Sequence, residues 1–162
     1  MTRVNFSAAA KAGFIAGIVF MVLEMLLVAT VGGESPWGPP RMIAAIGMGD
    51  GVLPPPATFD LTIMLVAIVI HLLLSILLGI LFAIIADMAR LSLTASAIAG
   101  LVFGLVVYAF GFYVMTAVFP WFAMARGAIS IFAHAIFGLV LGYAYRAMAP
   151  IGEQVVVDRR TD

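Results

Sequence analysis

Apolar runs long enough to cross a bilayer divide the chain into four. Ala12 to Val31 is interrupted only by Glu24, Leu61 to Ala86 and Leu93 to about Phe119 carry no formal charge, and Gly127 to Tyr145 extends backwards to Phe122. A hydrocarbon core of roughly 30 Å takes about 20 residues of helix. Backbone facing lipid must also pair with itself, so each run predicts a transmembrane helix. The four helices are expected at about residues 12–31, 61–86, 93–119 and 122–146. The first run has a basic lead-in, as secretory signals do, but its apolar core exceeds the usual 7–15 residues of such a segment, and it reads as a span.

Between the first two runs lies a long polar and proline-rich connection, residues 32–60. Pro39 and Pro40 can open a helix but not continue one, so a short interfacial helix is expected at about 41–48, ended by Gly49 and Gly51. Pro54, Pro55 and Pro56 then read as an extended strap, and the connection as a lid over one end of the bundle.

Composition turns this pattern into a class. With 65% hydrophobic and 10% charged residues in a chain of 162, the apolar surface exceeds what one water-soluble domain can bury. Lys plus Arg number 8 and Asp plus Glu 8, so no basic field points to nucleic acid. Cysteine is absent, which removes disulfides, thiolate catalysis and cysteine-held metal clusters. Positive charge sets orientation. Arg3, Lys11, Arg90, Arg146, Arg159 and Arg160 fall on one side of the spans, and Arg41 and Arg126 on the other. Both termini, with a tail at 147–162, are therefore expected in the cytoplasm of a bacterial inner membrane.

The runs also resemble one another. AGFIAGIVF, Ala12 to Phe20, aligns with AGLVFGLVV, Ala99 to Val107, and HLLLSILLG, His71 to Gly79, with HAIFGLVLG, His134 to Gly142. The fold expected is an all-α membrane protein, a four-helix up-down bundle of two related hairpins, a parallel repeat with a pseudo-twofold axis along the membrane normal. At about 100° per residue Gly13, Gly17 and Glu24 share a stripe, as do Gly100, Gly104 and Gly111. His71, Ser75, Gly79 and His134, Gly138, Gly142 form matching stripes on the second and fourth spans. Small residues at this spacing let helices approach closely in lipid, which turns both imidazoles inward.

Ionisable residues at membrane depth are rare and costly, and three occur: Glu24, His71 and His134. One alternative makes the histidines helix-packing residues duplicated with their hairpin, each bonded to a carbonyl, to Ser75, to Ser130 or to the other. The other makes them axial ligands of one b-type haem, with the glycine stripes supplying space, Glu24 orienting an imidazole, and Arg126 or Arg41 meeting the propionates. This is similar in architecture to quinol-linked cytochrome b bundles. Copper held by histidine with Met25, Met64, Met115 or Met124 is a smaller alternative. Glu24 as a proton or solute carrier would mean transport, against which stand the lack of discontinuous helices and of Asp or Arg partners at depth. Catalytic sets such as Ser–His–Asp or paired carboxylates are missing, so the chain does not read as an enzyme beyond an electron-transfer subunit.

SPWGPPRMIAAI (Ser35 to Ile46), GVLPPPATFD (Gly51 to Asp60) and FPWFAMARG (Phe119 to Gly127), with the two histidine helices, resemble a group of small bacterial four-helix inner-membrane proteins. That resemblance implies the topology and carries no activity or site residue with it. The function expected is a non-catalytic accessory or scaffold subunit, partnered by the bilayer and by other membrane subunits or its own copies. The haem module is second and transport third.

Overall fold

The computed structural model describes residues 4–151, so Arg3, Arg159, Arg160 and the tail beyond residue 151 lie outside the described residues. All regular structure among the described residues is helical, and four helices are long and apolar enough to cross a membrane. These are α1 (Phe6–Thr30), α3 (Leu61–Met88), α4 (Leu93–Ala109, within a span that runs to Ala117) and α5 (Ala128–Met148), with the shorter α2 (Gly38–Met48) between the first two. Beyond Ala109 the α4 chain continues through a π-helical turn at Phe110–Val114 and a 3-10 turn at Met115–Ala117.

Side-chain caps fix where three of them start. Asn5 Oδ1 accepts from the Ala8 amide at 2.9 Å, Asp60 Oδ1 from Ile63 at 2.9 Å and Ser92 Oγ from Ala95 at 3.3 Å. Each cap satisfies an amide that the first helical turn leaves unpaired. The Asn5 cap and the alanines after it carry α1 well ahead of Ala12, where the apolar run begins. Pro39 and Pro40 fall within the first turn of α2, whose missing amides cost nothing there, and Gly49, at φ 82°, ends it. The fourth span differs most from expectation. Pro120–Ala125 is a separate 3-10 segment, and Arg126 and Gly127 are extended, so α5 starts at Ala128 instead of near 122.

Glycine determines which helices pair. Gly13 of α1 lies so close to α3 that an added Cβ would strike the Ser75 carbonyl, and a Cβ on Gly79 would come within 2.7 Å of the Ala9 carbonyl. On the α4–α5 pair a Cβ on Gly100 would strike the Gly138 carbonyl, and one on Gly142 the carbonyl of Ser96. Ser96 Oγ adds a hydrogen bond to the Gly142 carbonyl at 2.9 Å. Backbone-to-backbone approach of this kind is what stripes of small residues permit in lipid. Gly13, Gly17, Gly100 and Gly104 are thus filled by the partner helix, and of the glycines expected to supply space for a cofactor only Gly111 meets open space.

α1 packs on both α3 and α5, joining the two pairs, whereas the consecutive helices α3 and α4 touch little. The shared core is alanine-rich, with Ala9, Ala12, Ala16 and Ala83 set around Phe82, Phe137, Leu141 and Tyr145. Outward, α3 exposes Leu65, Val69, Leu73, Leu77 and Leu81 in a continuous stripe. A face that apolar suits hydrocarbon and not water.

At the end of the bundle nearer the chain termini, Asp87 of α3 and Arg146 of α5 form a buried ion pair at 2.8 Å. The Tyr145 hydroxyl donates to the same carboxylate at 2.5 Å, and Arg146 Nη1 donates to the Ala149 carbonyl at 3.1 Å. Two charged residues that the sequence left at the ends of their spans are therefore buried against each other, one in the last turn of each of two helices.

Candidate functional site

The scarcity of contact between α3 and α4 opens a cavity of about 360 Å³ in the α2 half of the bundle. Toward the terminal end the gap is closed by Phe82 against Phe103, ring centroids 5.4 Å apart. At the other end α2 lies across it, lining the cavity with Pro39, Met42, Ile43 and Ile46. The lid is held on both sides. Trp121 donates its indole N–H to the Met42 carbonyl at 3.0 Å, and Arg41 reaches the carbonyls of Val52 at 2.7 Å and Thr58 at 2.9 and 3.2 Å. Sideways, Leu74 of α3 and Phe110 beyond α4 line the cavity and are 44% and 55% exposed, so its side between these two helices is bounded by exposed apolar residues.

Glu24, His71 and His134 all line this cavity, and the structure brings them together around one residue, Phe20. The Phe20 ring stacks on His71 at 5.4 Å and stands edge-on to His134 at 4.7 Å. Both imidazoles therefore share a layer. His134 is only about six residues into α5 and His71 about ten into α3, so at 1.5 Å per residue α5 starts about 6 Å deeper. The extended Arg126 and Gly127 set that offset.

Each imidazole donates to a carbonyl: His71 Nε2 to Gly17 at 2.8 Å across to α1, and His134 Nδ1 to Ser130 at 2.7 Å on its own helix. In the neutral ring the second nitrogen is then a lone-pair acceptor. Glu24, 6% exposed, takes the Ser130 hydroxyl on Oε1 at 2.6 Å. Its Oε2 is buried and has no hydrogen-bond partner among the described residues. The expected link from Glu24 to an imidazole is replaced by this one to Ser130.

These residues do not fit a haem as they stand. Two axial ligands must each aim a nitrogen at one iron across a flat slot. Phe20 packs against both rings, and the Nε2 of His71 is committed to Gly17. Arg126 does not line the cavity. It donates to the Phe112 carbonyl at 2.6 Å and to Thr116 at 3.2 Å and lies over the Tyr113 ring at 4.5 Å. Of the methionines, Met115 lines the cavity and Met124 is exposed. Among the described residues no three of His, Asp and Glu converge as a metal site.

Phe20 escaped the sequence reading, and Ser130 was weighed only as a partner of the histidines and not of Glu24, yet each had a signal. Phe20 continues the stripe of Gly13, Gly17 and Glu24 at the spacing of one helix face, and Ser130 stands one turn before His134. No protein-family model, curated protein or solved structure matches this chain.

Proposed function

We propose that this chain is a non-catalytic binding unit of the bacterial inner membrane, accessory to a larger membrane assembly, that receives a membrane-resident molecule through its side-opening cavity. The observation that carries this is the gap between α3 and α4, walled by α1, α3, α4 and α5, capped by α2 and open where Leu74 and Phe110 meet lipid. Pockets of about 300–1,000 Å³, mostly apolar with few polar groups, are typical of small-molecule sites. A lateral mouth admits an occupant from the bilayer without passage through water.

The two-hairpin, up-down architecture belongs to the same proposal. Supporting it, Gly13 meets Ser75 and Gly79 meets Ala9 in one pair, while Gly100 meets Gly138 and Gly142 meets Ser96 at the aligned positions of the other. The cavity then lies in the outer half of the membrane, with both termini cytoplasmic.

Native mass spectrometry of the protein released from lipid nanodiscs tests the binding reading. Wild type is expected to retain a small bound molecule and Gly111→Phe to lose it, since Gly111 lines the cavity and a Cβ there meets nothing within 4 Å, leaving space for a ring. A wild type that never carries a bound molecule, whatever the lipid, would refute it. In mild detergent the protein should also migrate with other membrane proteins; a stable free monomer would count against the accessory role. A Soret band in the purified protein would restore the haem alternative.

A further inference from the structure

Resting on that binding reading, we propose that the cavity's occupant is an amphiphilic organic cation, its ammonium group held against Glu24 within the phenylalanine cage and its tail leaving between α3 and α4. Three features of the lining converge on this chemistry.

The first is what its polar atoms offer. Both histidines spend their N–H on carbonyls, and Glu24 Oε2 is unpartnered, so with the rings neutral and Glu24 ionised the polar atoms left over on these three lining residues are acceptors. A ligand head that brings N–H or positive charge completes them, whereas a carbonyl or phosphate head finds no donor. The second is charge. The lining contains Glu24 and no Lys or Arg. Arg41 and Arg126, the nearest candidates in sequence, are tied to carbonyls of the connections around the cavity. A carboxylate at this depth is costly without a counter-charge, and an anionic head would add to that cost.

The third is the cage. Phe20, Phe110, Phe112, Phe119, Phe122 and Phe137 line the same cavity. Phenyl faces attract cations, and the attraction is strongest where water is excluded. Such rings also hold apolar groups, so the preference for a charged head comes from the ring faces and the carboxylate together. The lateral mouth supplies the remaining requirement, since a tail too long for about 360 Å³ can stay in lipid.

The test compares two probes of equal shape, phenylbutyltrimethylammonium and its uncharged isostere with tert-butyl in place of trimethylammonium. Binding of each to the full chain in nanodiscs is measured by equilibrium dialysis, with empty nanodiscs subtracted. Wild type should bind the cation at least about tenfold more tightly than the isostere. Glu24→Gln, which keeps the side-chain shape and an oxygen for Ser130, should cut that preference at least about threefold while the isostere binds as before. Gly111→Phe should abolish binding of both. Equal affinity of wild type for the two probes, or a preference undiminished in Glu24→Gln, overturns the cation assignment and leaves the cavity standing. Failure of both probes to bind wild type overturns the cavity reading along with it.

Discussion

A single missing Cβ decides the geometry at several points of this molecule. Gly138 and Gly100 face each other so closely that a methyl group on either would strike the other's carbonyl, and backbone on both sides cannot swing away as a side chain would. Gly138→Ala should therefore destabilise the α4–α5 pair by about 1–3 kcal/mol, the usual cost of overpacking, although alanine favours an isolated helix by roughly 1 kcal/mol. Gly111→Ala, where the added atom meets open space, should stay within about 0.5 kcal/mol of wild type. Thermal unfolding of both variants in one detergent checks the contrast, and equal melting temperatures would show that the close approach is not needed. The stripes were legible in sequence because spacing alone reveals a helical face. What each stripe faces was not, since periodicity says nothing of the neighbour, and Gly100 served contact with α5 instead of space for a cofactor.

Among the elements, the spans were read nearly as they stand, because hydrophobic length is a property of each segment by itself. The ends moved where local chemistry outweighed hydropathy: the Asn5 cap extended α1, and the extended pair Arg126 and Gly127 cut α5 short. α2 was expected as an interfacial helix, but its seat over the cavity depends on contacts distant in sequence, Trp121 to Met42 above all. Arg41 is the fastening of this element, with three hydrogen bonds to carbonyls of the strap that follows α2. Arg41→Met keeps the length of the side chain and removes those bonds, each worth about 1.5–3 kcal/mol when one partner is charged. Amide hydrogen exchange should accelerate across residues 49–60, with the spanning helices unchanged. Unaltered protection of that strap would mean that α2 is held by its packing on α3 alone.

For the whole molecule the question is what keeps two helical pairs in one body when lipid offers no hydrophobic drive between them. Alanine packing of α1 on α5 is one answer, and the ion pair between Asp87 and Arg146 is the other, tying α3 of one pair to α5 of the other where those helices otherwise touch little. This pair was the least legible feature. Asp87 lies just past the uncharged run and Arg146 counted as an orienting charge, so each looked like a residue in water, while the fold buries both to within 4% exposure. Burial makes the pair's loss asymmetric. Asp87→Asn or Arg146→Met alone leaves one charge without its partner, which typically costs about 3–5 kcal/mol, whereas removing both can be close to neutral. The double variant Asp87→Asn with Arg146→Met should therefore recover at least half of what either single change loses, because only the singles strand a charge. Unfolding in detergent, run as a double-mutant cycle, measures this coupling. Additive losses would mean that Asp87 and Arg146 act independently, and that the two helical pairs are joined through α1 and α5 without them.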